Sequence, residues 1–562
     1  MRGIPLGVAV VAIGLYLVGL GAPLFLDPPE GFHAEIAREM GAARDWTTPR
    51  IDGVRYVDQP PLFHWLVAAS FGAAGATPFA ARLWPALAAV GCAVVTARIG
   101  VALGGPRLGL LAGLMVAANL GMFAYGRTAR PELLFAFFVT LAWAGFVLAY
   151  LGRRRLGLTI FYAALGLAML TRDFLDALAV LPVIAVFFWL TRERPVGPWI
   201  PWWGILITVA IAVPWYVLLE AKNPGVLRHL VVDNHLAALS RSRLAPDEGT
   251  SLGAFDFVGL TALGFLPWAL ALPWALARAF RRPWPDARAR LWFVLGLWAV
   301  LALGVFAVLP FRLPHHALVA FPALALLAAR VWDDALEGAT GATPARHLLL
   351  PLLALFALVT AALIALLAGF RPFRLEPLTD LDVTTLGQVA MAIFALATAA
   401  LAMAAWRRAT AIGVGIALAA TIAFLPGVAA DARARLARAR SIRPLAAALA
   451  QRLKPGDLAM HEGPLEASAS LLLVVREPVR VVNGLQPNLA FGAARPEARD
   501  VFWDSPQLER AWMSGTRAFL ISSVDPARSV VRALPPASVH LLVEAGGRRL
   551  YSNLGDRGPD VR

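Results

Sequence analysis

The sequence predicts a polytopic α-helical membrane protein with about thirteen transmembrane helices and a soluble α/β domain at its C-terminus. Two observations indicate this class. Of the 562 residues, 59% are hydrophobic and only 15% are charged, and apolar runs of about 20 residues, long enough to cross a bilayer, recur along the chain. The runs end near residue 430, and beyond it short apolar stretches alternate with turns. This pattern excludes a disordered, collagen-like or small disulfide-rich protein.

We interpret residues 4–26 as a retained first span, because no small-x-small cleavage site precedes the charged segment that follows. The remaining apolar runs each fit one crossing of a bilayer. They lie near 79–101, 107–127, 132–151, 156–171, 174–191, 200–220, 254–277, 291–309, 313–330, 347–369, 386–405 and 410–429.

The net charge of +15 is spread over loops between spans, which argues against a nucleic-acid partner. Arginines cluster in alternate loops, at 98–107, 153–155, 192–194, 278–290 and 407–408. By the positive-inside rule these loops are cytoplasmic, so we expect a cytoplasmic N-terminus and a periplasmic C-terminus in a bacterial inner membrane. Cys92 is the single cysteine, which excludes a disulfide framework.

We predict a transmembrane domain over 1–430 and a periplasmic α/β domain over 431–562. The first periplasmic loop, 27–78, has the apolar residues Phe32, Ile36 and Met40 at helical spacing, which predicts a short helix in the membrane interface. In the C-terminal domain, residues 444–453 are amphipathic and predict a helix. Strand-like runs lie at 471–475, 479–482, 518–522 and 540–543.

Ionisable residues concentrate on the segments predicted to be periplasmic. They are Asp27, Glu30, His33, Arg55 and the polar neighbours Tyr56 and Gln59 in the first loop, then Arg130, Glu132, Arg172, His235, Arg312, His315 and His316. Such a set on one membrane face permits group transfer from a lipid phosphate. A carboxylate can accept a proton from an incoming hydroxyl, while Arg and His hold the phosphate.

The carboxylates also have structural interpretations. Asp27 and Glu30 are spaced as a helix capping box, and Glu132 follows a proline at a helix start, where an acid suits the helix dipole. We interpret His229 and His461 as solvated surface residues.

The adjacent histidines 315 and 316 would point about 100° apart on a helix. We therefore expect no shared metal there.

Sequence motifs join these residues in order along the chain. The longest runs from Pro29-Glu30 through 34–40 and 45–46 to Tyr56 and 60–62, and shorter motifs follow at Glu132, 171–172, 214–215, 234–235, 265–268, 312–314 and 321–322. In these motifs the chain resembles the polytopic GT-C glycosyltransferases of the ArnT and protein O-mannosyltransferase group. The ArnT branch is the most similar.

The resemblance implies a GT-C fold and transfer of a sugar from a polyprenyl-phosphate donor to a periplasmic acceptor, either a lipid resembling lipid A or a surface glycan. It implies Glu30, Glu132 and Asp27 as catalytic carboxylates. The substrate-binding residues would be Tyr56, Arg55, Gln59, His33, Arg130, Arg172, His235, Arg312 and His316.

Membrane lipids are expected partners, nucleic acid is not, and we expect a monomer. No cofactor is firmly implied, although a divalent cation would be compatible with the chemistry. No metal-ligating residue is assigned.

The chain departs from the family at several positions, and at the second carboxylate site Glu132 replaces the usual Asp. Pro29-Glu30 stands where the family usually has Asp-Glu, so the first carboxylate is either Glu30 or the displaced Asp27. Gln59 replaces a usual Lys, so a phosphate contact would pass to Arg55, Arg172 or Arg312.

A lipid-linked sugar transporter or flippase and an inactive GT-C scaffold are the alternatives. Transporters tend to carry ionisable groups at mid-membrane and repeated halves. Here the middle of each span is almost wholly apolar, and the sequence shows no repeat. The enzyme is therefore the leading interpretation.

Overall fold

A computed structural model describes residues 3–236, 252–309, 312–370 and 384–555, with the backbone alone at 235–236. These residues form two compact units. We call residues 1–20, 84–214 and 252–433 the helical unit, and residues 21–83, 215–251 and 434–562 the sheet unit. The domain boundary near residue 430 stays a prediction.

Each of the predicted spans contains helix. The bounds are Gly3–Leu17, Pro78–Gly104, Pro106–Ala117 with Leu120–Gly126, Glu132–Tyr150, Arg154–Thr171, Phe174–Leu178 with Val180–Thr191, Trp202–Lys222, Ala254–Gly264 with Leu272–Phe280, Ala287–Val308, Phe321–Glu337, Ala345–Leu367, Thr384–Trp406 and Thr410–Phe424. Within the described ranges, nine helical stretches are long and apolar enough to cross a membrane, or up to eleven if each bent pair is one span. The chain is a multi-span membrane protein.

Two spans of the helical unit are broken, and polar side chains form hydrogen bonds with backbone groups at the breaks. Asn119 lies where the chain bends by 60°. Its side chain accepts the Met122 N–H at 2.9 Å and donates to the Val116 carbonyl at 2.7 Å. The indole N–H of Trp268, at the second break, donates to the Ala118 carbonyl at 2.8 Å. Backbone groups that a broken helix leaves without partners are thereby satisfied.

The sheet unit contains a two-stranded hairpin and a six-stranded sheet. The hairpin strands are β1 (Arg50–Ile51) and β2 (Val54–Arg55); the sheet strands are β3 (Leu458–Glu462), β4 (Val479–Val482), β5 (Phe502–Trp503), β6 (Ala518–Ser522), β7 (His540–Ala545) and β8 (Arg548–Ser552). The sheet order is β5-β4-β3-β6-β8-β7. In this order β5, β4, β3 and β6 are each parallel to their neighbours in that group. Strand β8 pairs antiparallel with both β6 and β7.

Helices of the sheet unit include Pro29–Ala43, Leu62–Ala74, Arg443–Arg452 and Ser505–Trp512. The predicted strands at 479–482, 518–522 and 540–543 are confirmed. The predicted strand at 471–475 is wrong, because a 3₁₀ segment, Leu465–Leu471, ends there and a turn follows. Leu471, Leu472 and Val475 are buried at a helix-like spacing, and so short an apolar run fits either structure by its pattern alone.

One hydrophobic core joins the first loop to the C-terminal segment within the sheet unit. It contains Phe32 and Ile36 from the helix Pro29–Ala43, together with Ile51, Val54, Tyr56, Leu445, Leu449, Leu465, Leu471, Val479, Val481 and Phe519. Burying one large apolar side chain contributes about 1.5 to 3 kcal/mol. The predicted first-loop helix is confirmed, but its apolar face packs into this protein core rather than into the membrane interface as predicted.

Candidate functional site

A cavity of about 450 Å³ lies in the helical unit. One part of its lining is polar and contains Glu132, Arg172, Asp176, His315 and His316. The rest is apolar and includes Phe135, Val139, Trp143, Leu175, Val183, Trp298, Val305 and Phe306. A pocket with a few converging polar groups among apolar walls suits an amphiphile with a charged headgroup.

Glu132 is the first residue of the helix Glu132–Tyr150, where the positive end of the helix dipole favours a carboxylate. Arg130 donates two hydrogen bonds to it, Nη2 to Oε1 at 2.7 Å and Nε to Oε2 at 3.0 Å. The two side chains are only 5% and 3% exposed. The forked pairing compensates both charges in an apolar surrounding.

The two histidines follow Leu313 on a 3₁₀ segment, Pro314–Ala320. The Leu313 N–H donates to His316 Nδ1 at 3.2 Å, so a neutral His316 carries its proton on Nε2. His315 Nε2 lies 3.8 Å from Glu132 Oε1. The two imidazole rings are inclined by 80° to each other. In neutral His316 the hydrogen-bond donor of the ring is therefore Nε2–H, since Nδ1 accepts from Leu313.

Arg172 follows the end of the helix Arg154–Thr171. Its Nε donates to Asp176 Oδ2 at 2.9 Å, and its side chain is 20% exposed. Asp173 accepts the Leu175 N–H at 2.7 Å and so caps the next helix. The cation of Arg172 is thus held at the cavity wall.

Arg312 donates to the backbone carbonyls of Leu252 and Ala307, at 3.0 and 3.2 Å. It is absent from the described lining of the cavity. Its predicted role in binding phosphate stays a prediction.

Glu30 is fully buried in the sheet unit and pairs with Arg82, which is also fully buried. Arg82 Nη2 lies 2.6 Å from Oε2 and Nε lies 2.7 Å from Oε1, and the Leu26 N–H donates to Oε2 at 2.9 Å. The guanidinium also donates to the carbonyls of Pro23 and Leu24. Sequence reasoning missed Arg82, although an arginine within an apolar run should have signalled a buried partner.

Asp27 does not cap the following helix, and the capping-box interpretation is wrong because Pro28 occupies the N-cap position. Asp27 instead accepts the Ser470 backbone N–H at 3.3 Å and the Ser470 hydroxyl. Burial raises the pKa of Asp27 to about 7, an effect that Ser470 and the Arg548 charge oppose.

Tyr56 and His33 both lie in the interior of the sheet unit. Tyr56 packs edge-on against Phe32, with ring centroids 5.1 Å apart. His33 Nδ1 is 3.2 Å from His64 Nε2, and burial holds the pKa of His64 well below its usual range.

The other first-loop candidates are less deeply buried. Arg55 donates to Asn223 Oδ1 at 2.8 Å and pairs with Glu497. The buried Gln59 Oε1 has no hydrogen-bond partner among the described residues. The His235 side chain lies outside the part of the chain that the structure describes. The predicted meeting of the first-loop set with Glu132 in one site stays a prediction.

The structure contradicts the surface assignment of His229 and His461, because both are buried. His229 lies between two carboxylates, with Nε2 3.1 Å from Asp58 Oδ1 and Nδ1 3.1 Å from Asp233 Oδ2. Both nitrogens can donate only in the imidazolium form. Burial lowers the pKa of His229, but the two carboxylates outweigh it and raise the pKa above its usual value.

A raised histidine pKa predicts that His229 stabilises the sheet unit most at low pH. The contribution is complete below the unfolded pKa of about 6.5 and is lost as pH rises through the higher folded value. We expect the difference in melting temperature between wild type and His229→Gln to shrink between pH 6 and pH 9. The exposed His540→Gln variant is the control. A difference that does not change with pH would contradict the imidazolium assignment.

Within the described ranges, no group of three or more His, Cys, Asp or Glu side chains is placed to hold a metal ion.

Comparison of the sequence and the fold with known proteins identifies the fold class of this chain. A family model described as dolichyl-phosphate-mannose-protein mannosyltransferase matches residues 9–228. The crystal structure of ArnT from Cupriavidus metallidurans bound to undecaprenyl phosphate matches with a TM-score of 0.80 and 23% identity, over 100% of both chains. An Archaeoglobus fulgidus oligosaccharyltransferase matches with a TM-score of 0.51 and 12% identity, over 85% of this chain and 64% of the other. The chain therefore has the GT-C fold.

Relatives found by sequence show which branch of the GT-C class the chain resembles. An undecaprenyl phosphate-alpha-4-amino-4-deoxy-L-arabinose arabinosyl transferase of Edwardsiella ictaluri is 30% identical over 333 residues, which are 57% of this chain and 58% of that relative. A second arabinosyl transferase with this name from Sodalis glossinidius is 28% identical over 525 residues, 88% of each chain. Within the GT-C class, the resemblance to the ArnT branch is confirmed.

Proposed function

We propose that the chain is an inner-membrane glycosyltransferase that moves one sugar from a polyprenyl phosphate to a periplasmic lipid or surface-glycan acceptor. The observation that carries this proposal is the cavity of about 450 Å³, whose polar end and apolar walls match a lipid phosphate. The ArnT relatives support the donor class, since they are named for an undecaprenyl-phosphate-linked sugar. In the proposed orientation the N-terminus is cytoplasmic and the C-terminal domain periplasmic.

In this proposal Arg172 and His316 hold the donor phosphate at the polar end of the cavity. Arg172 supplies a cation and His316 one N–H donor. The apolar walls, among them Trp143 and Trp298, take the first part of the polyprenyl chain. Binding energy from the chain would place the sugar carbon next to Glu132.

Glu132 would act on the acceptor. As the acceptor oxygen bonds to the sugar carbon, the bond from that carbon to the phosphate oxygen breaks and polyprenyl phosphate leaves with the electron pair. The acceptor proton passes to the Glu132 carboxylate. If the acceptor is itself an ionised phosphate, no proton moves and the carboxylate orients it.

The proposal is tested by incubating membranes with a polyprenyl-phosphate-linked radiolabelled sugar and extracting lipids and glycans. Label transferred to an acceptor supports it. A labelled donor that is moved across the vesicle membrane without sugar transfer indicates a flippase. A protein that neither transfers the sugar nor moves the donor is an inactive scaffold. Mass spectrometry of surface lipids and glycans from a deletion strain would show which mass increment is lost.

Replacing Arg172 by Ala should raise the donor KM about tenfold, since one charge-assisted hydrogen bond is worth about 1.5 kcal/mol or more. We expect a smaller effect on kcat, because the contact is made in both ground and transition states. Initial-rate kinetics over donor concentration measure both constants. Arg192→Ala, in a predicted cytoplasmic loop, is the matched control. An unchanged donor KM would remove Arg172 from the site.

A further inference from the structure

Besides the shared hydrophobic core, a pair of hydrogen bonds from one serine of the C-terminal segment holds the start of the first-loop helix. Ser470 gives both its backbone N–H and its hydroxyl to Asp27, two residues before the helix Pro29–Ala43 begins. Gly31 lies so close to this serine that a Cβ on it would be 2.3 Å from the Ser470 nitrogen. The contact therefore requires glycine at position 31 and fixes the first helical turn against the 3₁₀ segment Leu465–Leu471.

Arg548 of strand β8 holds that 3₁₀ segment in place. Its Nε donates to the Ser468 hydroxyl at 2.9 Å, and its terminal nitrogens donate to the carbonyls of Arg440 at 2.9 Å, Gly546 at 2.8 Å, and Ala467. The side chain is buried. A buried guanidinium that binds several carbonyls fixes the backbone around it, because losing a partner would leave a charge desolvated.

The charged groups that face Asp27 come from the helix Pro29–Ala43 and from strand β8. Glu30 raises the pKa of Asp27, and the Arg548 charge and the Ser470 hydrogen bonds lower it, while burial is the largest effect and raises it to about 7. Arg82 pairs with Glu30 and compensates its charge. Asp27 thus changes charge near neutral pH in a contact that both Ser470 and Arg548 stabilise when it is ionised.

We propose that Ser470 and Arg548 are positioning residues that act through ionised Asp27 to set the first turn of the helix carrying Glu30 and His33. This inference rests on the proposed function, since the ArnT resemblance implies Glu30 and Asp27 of the first loop as catalytic carboxylates. Neither residue would touch the substrate. Removing either should loosen the helix start and change how the reaction depends on pH.

The test compares pH profiles of kcat for wild type and Ser470→Ala. Without the hydroxyl we expect kcat to fall about fivefold near pH 7 with donor KM little changed, and the rising limb to move up by about one pH unit. Ser470→Thr keeps a hydroxyl and should restore the wild-type profile. Ser514→Ala, which removes an exposed hydroxyl of the same unit, is the control and should change nothing.

A second readout needs no activity. Because the folded pKa of Asp27 is raised, its ionisation costs stability, so melting temperature should fall as pH rises from about 4 to about 7. In Ser470→Ala the fall should extend to higher pH.

An unshifted melting profile and an unshifted kcat profile would overturn the anchoring role. If the wild-type protein transfers no sugar but the melting profile of Ser470→Ala is shifted from that of wild type, the proposed function is overturned and the anchor remains supported.

Discussion

Glu132→Gln is expected to lower kcat for sugar transfer by about 10² to 10⁴, the range that a positioned general base supplies. The substitution keeps the shape of the side chain and removes the group that accepts the acceptor proton. Donor KM should change little, because Arg172 and His316 remain. Initial rates with a radiolabelled polyprenyl-phosphate sugar give both constants.

Folding must be separated from catalysis in this variant, because Arg130 loses its buried partner and breaking such a pair costs about 3 to 5 kcal/mol. Glu132→Asp keeps the charge beside Arg130 and moves the carboxylate back by one methylene. It should fold normally, with kcat lowered because the reacting atoms no longer align. Turnover of folded Glu132→Gln within threefold of wild type would remove Glu132 from the reaction.

The second large effect is expected at the buried Glu30–Arg82 pair. Arg82→Met leaves the Glu30 carboxylate buried without its cation and should lower the free energy of unfolding by about 3 to 5 kcal/mol. Removing both charges in Glu30→Leu/Arg82→Met should recover most of that loss. Thermal unfolding in detergent measures both variants. Arg549→Met, which breaks the more exposed pair with Glu544, should cost about 1 kcal/mol or less.

The same double variant decides the role of Glu30. Both Glu30 oxygens are bonded to Arg82, and one also accepts the Leu26 N–H. If the Glu30 carboxylate only holds the local structure together with Arg82, the folded double variant keeps measurable sugar transfer. If it is the base that the family resemblance implies, transfer is lost although the protein is folded. A single Arg82→Met variant that is as stable as wild type would contradict the structural importance of the pair.

The sequence predicted well what depends on neighbouring residues. Hydropathy located helix in each predicted span, and within the described ranges nine to eleven helical stretches are long and apolar enough to cross a bilayer, which requires long uninterrupted apolar runs. Strand β6 was predicted at its observed bounds because Ala518–Ser522 is a buried run between turns. Glu132 with Arg172 and His316 was selected from their shared predicted membrane face, and the structure places all three on one cavity.

Contacts between residues that are far apart in the sequence were not predicted. Glu30 and Arg82 are 52 residues apart, and Asp27 and Ser470 are 443 apart, so no local pattern links them. Strand β3 was missed because His461 and Glu462 interrupt the expected apolar run. In the fold Glu462 is buried and accepts hydrogen bonds from the hydroxyls of Ser522 and Ser529.

The core shared by Phe32, Ile36 and Tyr56 with the C-terminal segment has a consequence for how the protein is made. Residues 27–58 emerge early from the ribosome, whereas their packing partners lie beyond residue 440 and emerge last. Domains otherwise tend to fold in order from the N-terminus during synthesis. The apolar face of the first loop therefore stays without these packing partners until the segment beyond residue 440 has been translated. A polypeptide truncated after the last span would insert in the membrane with the first loop unable to complete its core.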